Sequence, residues 1–290
     1  MPAQITPFHH APTGSWTYVV VDSETRAAAI IDPVLDYDWR SGRSGTASAD
    51  AVIAHCQGAG VQVRWILETH AHADHLSAAQ HLRERLGGQV AIGRGILEVQ
   101  RTFRRIFGLG PEFAADGSDF DRLLADGDLL PLGELGIRVL PVPGHTSDSV
   151  AYRIDDALFV GDTIFMPDSG TARCDFPGGN AALLYRSVHS LYALPPATRV
   201  FVCHDYSPGG RAPRCETSIG EQRAANIHLR DGVTEEAFVQ MRLARDATLD
   251  VPNLLLPAVQ VNIRAGKFPP AEADGVSYLR VPLNVVGRPL

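Results

Sequence analysis

Apolar runs separated by short polar turns dominate the first part of the chain. The segment WTYVVVDSETRAAAIIDPV, residues 16–34, predicts a β-hairpin because two β-rich runs flank the polar turn at residues 22–26. The segment SADAVIAHCQGAG, residues 48–60, predicts a helix that has Ser48 as its candidate N-cap and glycine at its end. The chain is therefore expected to begin with a hairpin and a helix.

A strand, a turn and a second helix follow. VQVRWILETH, residues 61–70, predicts a buried strand. HLSAAQHLRERLGG, residues 75–88, predicts a helix, since Leu76, Ala79 and Leu82 recur at helical spacing before two terminating glycines. A cluster of histidines, in ETHAHADHL, thus lies at a strand-to-helix turn.

The middle of the chain repeats this arrangement of strand and polar turn. Residues 137–170 alternate apolar runs with sharp turns, so His145 in GHT and Asp162 in GDT are each predicted at the end of a strand. NAALLYRSVHSLYAL, residues 180–194, predicts a helix, and TRVFVCHDY predicts a strand that delivers His204 at its tip.

The last part of the chain is predicted to be helical and then extended. ETSIGEQRAANIHLRDG and TEEAFVQMRLARDATL, residues 216–232 and 234–249, predict two helices. PNLLLPAVQVNIRAG, residues 252–266, predicts a strand-like or extended segment. No internal repeat or low-complexity linker interrupts the chain, which indicates one domain over residues 1–290.

Seven histidine and aspartate side chains are predicted at strand ends, and together they predict a metal site. Four form an HxHxDH motif, and three come from later strands; the set is His70, His72, Asp74, His75, His145, Asp162 and His204. On an irregular turn, alternating residues of the motif point toward one centre while the last two point toward another. Nitrogen and carboxylate ligands suit zinc, iron or manganese, and no cysteine joins the predicted set.

Composition narrows the expected partners and compartment. The formal net charge is −7 without a basic run, so no nucleic-acid partner is expected. No apolar run is long enough to cross a bilayer and the amino terminus lacks signal-peptide character, so we expect a cytoplasmic protein and no membrane partner. Lys267 is the only lysine, which excludes a Walker-type or Schiff-base lysine from the body of the chain. The four cysteines lack CxxC spacing and are expected to be thiols.

The ordered series HxHxDH, GHT, GDT and a strand-terminal histidine resembles the metallo-β-lactamase superfamily, from the first hairpin to about Tyr206. The resemblance implies an α+β fold, an αββα sandwich of two mixed β-sheets flanked by helices. It implies a core over about residues 1–206 and a C-terminal helical or extended extension over about 207–290. In binuclear members, His70, His72 and His145 would hold one metal, Asp74, His75 and His204 a second, and Asp162 would bridge them.

Three finer segments resemble the persulfide dioxygenases of the superfamily: GDTIFMPDSGTARCDFPGG, CHDY and ETSIGEQRAANIH. That resemblance implies oxidation of glutathione persulfide by O2 to sulfite and glutathione, in sulfide detoxification, at one Fe(II) per chain held by His70, His145 and Asp162. The other four, His72, Asp74, His75 and His204, would then surround the ligands rather than bind metal. Two histidines and one carboxylate leave three positions open on iron, which suits oxygen activation.

Substrate contacts are predicted on the same resemblance. Glutathione carries two carboxylates, and Arg173 lies where the family's glutathione-binding arginine falls, so its guanidinium would bind a carboxylate with two hydrogen bonds. Tyr206 would add a hydroxyl donor, and His204 and Tyr206 would assist metal-centred catalysis. Structural roles are expected for Cys174, Cys203, Asp148, Arg214, Arg223, Asn262 and Arg264, and surface or helix-face positions for His9, His10, His81, His189 and His228.

The main alternative is a glyoxalase II-like hydrolase of hydroxyacylglutathione thioesters, which would bind two metals, zinc, iron or manganese, and attack with a bridging hydroxide. All seven candidate ligands are present for it, and metal stoichiometry would distinguish it. A metal or sulfide sensor is a third interpretation, but no output module is predicted. Without a rhodanese active-site loop, the chain would receive its persulfide from elsewhere rather than make it. A homodimer is expected on precedent alone.

Overall fold

The computed structural model describes residues 3–287. Most of its strands form two six-stranded sheets. The first sheet contains, in spatial order, β1 (Gln4–His10), β2 (Ser15–Val21), β3 (Ala27–Ile31), β6 (Gln62–Leu67), β8 (Gln89–Gly93) and β9 (Arg122–Leu124). The second contains β10 (Leu129–Leu132), β11 (Leu135–Pro141), β12 (Val150–Ile154), β13 (Ala157–Phe159), β14 (Arg199–Phe201) and β15 (Glu216–Ser218). Both sheets mix parallel and antiparallel pairs.

A small sheet and the helices complete the fold. The small sheet has the order β5 (Arg43–Gly45), β4 (Val34–Asp38) and β7 (Leu76–Ser77). The helices are α1 (Ala47–Gly58), α2 (Ala79–Leu86), α3 (Ile96–Ile106), α4 (Ala181–Tyr192), α5 (Ile219–Ala225), α6 (Glu235–Asp246) and α7 (Leu255–Asn262), with a 3-10 turn at Pro208–Gly210. Within residues 3–287, no helix has the length and apolar character that crossing a membrane requires.

The two large sheets are joined face to face by a shared apolar core. Tyr18 and Trp65 project from the first sheet into the cluster that also holds Tyr152, Phe159 and Phe201 from the second. The rings of Phe159 and Phe201 stack 5.0 Å apart, and Tyr18 meets Phe159 edge-on at 5.1 Å. Because side chains alternate between the two faces of a strand, the opposite faces of the same strands need a second covering.

Helices supply that covering on both outer faces. Residues of α1, α2, α3 and α7 pack in one apolar cluster with the outer face of the first sheet. Residues of α4 and α6 pack in another with the outer face of the second sheet. This order of helix, sheet, sheet and helix confirms the predicted αββα sandwich. The predicted boundary near residue 206 stays a prediction.

The predicted elements agree with the structure best where a motif marks their ends. The predicted first hairpin is present as the antiparallel pair β2 and β3, and α4 follows its predicted range closely. Ser48 is not the N-cap of α1: it lies inside the helix, which is capped at Thr46, and Ser48 binds Asp36 instead. The pattern did not predict the elements between residues 89 and 132 or the hairpin of β4 and β5.

The prediction of an extended segment at residues 252–266 is wrong, because α7 occupies most of it. Its valines and leucines suggested a strand, but Leu255, Ala258, Val259 and Val261 are all buried in the cluster beneath the first sheet. A helix buried in this way is apolar on most of its faces and shows little amphipathic pattern. Pro257 is accommodated because it lies in the first turn, where backbone N–H groups have no helical partner.

Two glycines let β8 and α3 approach the loop that follows His145. A Cβ atom on Gly93 would lie 2.4 Å from the carbonyl oxygen of Asp148, and one on Gly95 would lie 2.3 Å from that of Ser147. Both neighbours are backbone, so the contact cannot be relieved by moving a flexible side chain. This close packing joins the first sheet to a loop of the metal-site edge.

We expect Gly95→Ala to lower the free energy of unfolding by about 1–3 kcal/mol, since the added methyl group must push two backbone segments apart. Gly58→Ala is the matched control, because a Cβ atom there would have no neighbour within 4 Å and the residue lies at the end of α1. The control should be neutral or slightly stabilising. Urea denaturation of both variants measures the difference, and equal midpoints would contradict the close contact.

Candidate metal centre

All seven predicted His and Asp side chains lie at one edge of the sandwich. The HxHxDH loop follows β6, His145 lies between β11 and β12, Asp162 follows β13, and His204 follows β14. The five histidines and Asp162 are buried, and Asp74 is the most exposed of the set, with 24% of its side chain accessible. The structure thus brings together every residue that the sequence assigned to the metal site.

One group of potential ligands consists of His70, His145 and Asp162. Their ligand atoms all lie within 4.8 Å of one another. The Oδ2 atom of Asp162 is 3.9 Å from Nε2 of His70 and 3.7 Å from Nε2 of His145. These separations leave space between the three atoms for an ion, and two nitrogens with one carboxylate oxygen suit iron or zinc.

A second group shares Asp162 with the first. Asp74, Asp162 and His204 also place their ligand atoms within 4.8 Å of one another. Nε2 of His204 lies 3.1 Å from Oδ2 of Asp74 and 3.3 Å from Oδ1 of Asp162. Asp162 therefore faces one group with each of its oxygens, as a bridging carboxylate does.

His72 lies beside His70, with ring centroids 4.0 Å apart, but it belongs to other groups of potential ligands. Its Nε2 atom bonds Oδ1 of Asp32 at 3.0 Å and lies 3.7 Å from Oε2 of Glu68. Its Nδ1 atom is buried without a hydrogen-bond partner, and His72 clusters with His75, Cys203 and His204. Cys203, predicted to face the core, is buried there, and burial raises the pKa of its thiol well above the usual range.

Outer hydrogen bonds fix the ring orientation of three histidines. Nδ1 of His145 donates to the carbonyl oxygen of Arg173 at 2.7 Å, and Nδ1 of His204 lies 3.2 Å from the hydroxyl of Ser15. Nδ1 of His70 lies 3.1 Å from the hydroxyl of Thr69, whose own hydrogen goes to Asp32. With Nδ1 occupied, each ring directs Nε2 toward the centre, as metal-binding histidines do.

The electrostatics of the site favour a cation. Burial and the neighbouring histidines hold the pKa of His70 and of His72 well below the usual value, so both rings are neutral, which is the form that binds metal. Burial, with Asp74 and Asp32 nearby, raises the pKa of Asp162 well above its usual range. A positive ion between these carboxylates would lower the pKa of Asp162 again and keep its carboxylate ionised.

Unpartnered buried atoms provide the test of whether a metal fits. Among the described residues, buried atoms without a hydrogen-bond partner include Nε2 of His70, His75 and His204, Nδ1 of His72 and Oδ1 of Asp162. Leaving one buried polar atom unsatisfied costs about 1–3 kcal/mol, so these atoms need partners. An ion held by His70, His145 and Asp162 would supply the partner of Nε2 of His70, and one held by Asp74, Asp162 and His204 would supply those of Nε2 of His204 and Oδ1 of Asp162, so the donor set fits a metal ion.

The C-terminal helices hold two of the site loops in place. The side-chain amide of Asn262 in α7 donates to the carbonyl oxygens of His72 and His75, both at 2.8 Å, and its oxygen accepts from the backbone N–H of Ser77 at 2.8 Å. The supporting role predicted for Asn262 is therefore seen in its contacts. No signal in the sequence indicated that this side chain would reach the HxHxDH loop.

A buried ion pair in α6 holds the other loop. Arg242 binds Asp246 one turn away, with Nε 2.9 Å from Oδ1, and donates to the carbonyl oxygen of Thr171 at 3.1 Å. Asp246 in turn accepts from the backbone N–H of Cys174 at 2.8 Å. This pair fixes residues 171–174, which supply the carbonyl oxygen that orients His145. Neither residue was singled out from the sequence.

Asp32 and Asp148 also support the HxHxDH loop. Asp32 accepts from the backbone N–H of Thr69 at 2.7 Å, and Asp148 accepts from that of Ala71 at 2.8 Å. Burial raises the pKa of Asp32 to about 6 against the opposing effect of the Thr69 hydrogen bonds. Asp32 was missed, although it ends a predicted strand in IIDPV and so obeys the rule that found Asp162.

The site opens on two cavities separated by Tyr206, Asp74 and Pro252, which line both. A cavity of about 280 Å³ is lined by His145, Asp162 and Arg173 among others. A wider cavity of about 710 Å³ extends toward the hairpin of β4 and β5. The ring of Tyr206 stacks on that of His204, with centroids 5.9 Å apart and an angle of 4°.

Arg173 lines the smaller cavity beside His145 and Asp162, but its guanidinium already has hydrogen-bond partners. Its Nε and Nη2 atoms donate to the two oxygens of Asp175 at 2.5 and 2.6 Å, and Nη1 donates to the carbonyl oxygen of Asp250 at 2.6 Å. The two-bond grip that the sequence predicted for a substrate carboxylate is therefore made to Asp175 here. A role for Arg173 and Tyr206 in substrate binding stays a prediction.

The remaining residues have the structural settings expected of them, with two exceptions. Arg214 and Arg223 pair with Glu221 and Asp231 at 3.7 and 2.9 Å, Arg264 stacks over Phe113 at 4.5 Å, and Cys174 is buried. His10 and His228 were predicted at the surface, but both are buried. His10 binds Thr13 at 2.7 Å, and His228 accepts from the backbone N–H of Thr171 at 3.0 Å.

The chain belongs to the metallo-beta-lactamase superfamily, whose family model matches residues 10–204. A probable metallo-hydrolase of Burkholderia pseudomallei is 53% identical over 289 residues, covering 96% of this chain and 98% of that protein. Glyoxylase B2 of Dictyostelium discoideum is 46% identical over 284 residues, with 97% of each chain covered. A beta-lactamase hydrolase-like protein of Xylella fastidiosa is 51% identical over 98% of this chain, which spans 65% of its length.

Persulfide dioxygenases are more distant relatives. The mitochondrial persulfide dioxygenase ETHE1 of Homo sapiens is 29% identical over 255 residues, covering 87% of this chain and 84% of that protein. The crystal structure of ETHE1 from Myxococcus xanthus is similar with a TM-score of 0.73 and 29% identity, over 91% of this chain and all of that one. The family and the clustered ligands imply a metal-dependent enzyme.

We expect Asn262→Ala to lower the free energy of unfolding by about 3 kcal/mol, because three buried backbone groups lose their partner. It should also weaken metal binding by about 10–100-fold, since the HxHxDH loop loses its support. Gln80→Ala is the control: Gln80 bonds the carbonyl oxygen of Ala265 near α7 but does not contact the loop. Metal content and urea denaturation check the pair, and normal metal content in Asn262→Ala would contradict the supporting role.

Proposed function

We propose that the protein is a persulfide dioxygenase that uses one ferrous iron per chain. Glutathione persulfide, O2 and water would give glutathione, sulfite and two protons. The outer sulfur is oxidised by four electrons and one O2 accepts them, so no further reductant is needed. Similarity to persulfide dioxygenase ETHE1 in sequence and to ETHE1 in structure supports this proposal.

The observation that carries the proposal is the group formed by His70, His145 and Asp162. Two neutral imidazoles and one carboxylate are the ligands that non-haem iron uses when it must keep open positions for O2 and substrate. His72, which would join the same ion in a binuclear site, falls in a separate group with His75, Cys203 and His204. This grouping of ligand atoms supports a set of three at the first position.

Iron, when bound, would supply adjacent positions for the substrate sulfur and O2. The protein's own groups would orient the ligands and the substrate. The carbonyl oxygen of Arg173 holds the His145 ring, and Thr69 holds the His70 ring. His204 and Tyr206, whose rings stack, would assist at the metal, with Tyr206 as a hydroxyl donor in the cavity wall, and Arg173 would line the same cavity as the substrate.

A binuclear hydrolase is the second candidate, and one observation favours it. Asp162 contacts both groups of ligands through its two oxygens, which is the arrangement that two-metal hydrolysis requires. The identity of 46% to glyoxylase B2 and of 53% to a probable metallo-hydrolase supports it further. In that case a glutathione thioester would replace the persulfide as the substrate.

Metal content and oxygen uptake, measured on the same anaerobically purified protein, distinguish the two candidates. The dioxygenase should contain about one iron per chain and should consume one O2 for each sulfite released from glutathione persulfide. His145→Ala should lose iron and lower oxygen uptake by at least about 100-fold, because a ligand is removed. His81→Ala is the control, since His81 lies on α2 and pairs with Asp50, away from the site.

Two metals per chain, hydrolysis of S-lactoylglutathione and no oxygen uptake would replace the dioxygenase with the hydrolase. Asp74→Asn sharpens this comparison. Its carboxylate belongs only to the second group, so the dioxygenase should keep its one iron in this variant. A hydrolase should lose one of two metals and most of its activity.

A further inference from the structure

Three arginines line the smaller cavity next to His145 and Asp162: Arg173, Arg242 and Arg245. A substrate whose sulfur lies at the metal would place its other groups against this wall. A guanidinium with free hydrogens is the side chain best suited to bind a carboxylate, because its fork matches the two oxygens. The partners that each arginine already has therefore decide which one is available.

Arg242 and Arg173 are both engaged. The guanidinium of Arg242 is buried and binds Asp246 and the carbonyl oxygen of Thr171. That of Arg173 gives its fork to Asp175 and a third hydrogen to the carbonyl oxygen of Asp250. Removing Arg242 from its pair would leave a buried charge without a partner, which is strongly unfavourable.

Arg245 is exposed and differs from the other two. Within residues 3–287, no carboxylate lies within ion-pair distance of its guanidinium, and the adjacent Asp246 is already paired with Arg242. Asp246 is shared between Arg242 and the backbone of Cys174. The pKa of His228 is lowered to about 4, mainly by burial and then by the positive charges of Arg242 and Arg245, so Arg245 lies near that ring.

The backbone that carries Arg245 is fixed relative to the metal site. Arg245 lies in the last turn of α6, next to Asp246, and that residue is tied to the loop at 171–174. The same loop holds the ring of His145 through the carbonyl oxygen of Arg173. The base of the Arg245 side chain and the His145 ligand therefore belong to one hydrogen-bonded unit.

We propose that Arg245, rather than Arg173, binds a carboxylate of the substrate while the substrate sulfur lies at the metal. This inference rests on the proposed function and deepens it, because glutathione carries two carboxylates. It defines the substrate class as sulfur compounds that bear a carboxylate at some distance from the reacting sulfur. Arg173 then acts through its backbone and its Asp175 pair as a positioning residue for His145.

The test compares Arg245→Gln with wild type in the full-length, iron-loaded protein, using two persulfides. Glutathione persulfide has carboxylates and cysteamine persulfide has none. For glutathione persulfide, KM should rise about tenfold with kcat within about twofold, since a charge-assisted hydrogen bond in the bound state is lost. For cysteamine persulfide, neither constant should change.

Two further variants separate this contact from general effects. Arg138→Gln removes an exposed arginine on β11 that does not line the cavity, and it should leave both substrates unaffected. Arg173→Gln should lower kcat and iron content for both substrates, because the loop that orients His145 loses its Asp175 pair. An unchanged KM for glutathione persulfide in Arg245→Gln would overturn the proposal, and so would an equal rise for both persulfides.

Calorimetric binding of glutathione itself distinguishes failure of this inference from failure of the proposed function. If wild type takes up no O2 but binds glutathione, the dioxygenase is wrong, and about tenfold weaker binding to Arg245→Gln would still support the carboxylate contact. Equal binding by the two proteins would overturn the contact whatever the reaction is. If wild type does not bind glutathione or its persulfide, both proposals are wrong.

Discussion

The structure depends on one electrostatic constraint: seven ionisable candidate ligands, six of them buried, converge at one edge of the sandwich. Burying a carboxylate such as Asp162 beside other acids is unfavourable unless a positive charge neutralises it. The neighbouring imidazoles are held neutral by their own burial, so they do not supply that charge. A metal ion would neutralise the carboxylates and bind the neutral imidazoles at the same time. Its binding energy would then help to hold together loops that follow four separate strands.

Support for this edge comes from both directions along the chain. Asp32 and Asp148 hold the HxHxDH loop from within the sandwich, and Asn262 holds it from α7. The pair of Arg242 and Asp246 performs the same task for residues 171–174. The C-terminal helices are therefore part of the metal site in physical terms, although they contribute none of its seven candidate ligands.

The sequence predicted the metal-site edge well because its motifs have local causes. A histidine or aspartate at the end of a strand projects from the sheet edge whatever the rest of the fold does, and this located His145, Asp162 and His204. The contacts of Asn262, Arg242 and Asp246 depend on how distant helices dock, and no local pattern encodes that. The same reason explains the error at α7, whose valines and leucines are buried on most sides and thus carry no helical periodicity. Arg173 shows a related limit: its position in the cavity was predicted, but its pairing with Asp175 was not.

The hydrogen bonds of Asn262 have a consequence for how the protein is made. His72 and Asn262 are 190 positions apart in the chain, and all seven candidate ligands precede Asn262. When residue 204 has been added to the growing chain, every candidate metal ligand is present. The side-chain amide that secures the HxHxDH loop, that of Asn262, has not yet been synthesised. Since folding generally begins from the amino-terminal part during synthesis, the sandwich has time to form before its metal site is secured. Completion of the site is therefore a late event in the life of the nascent chain.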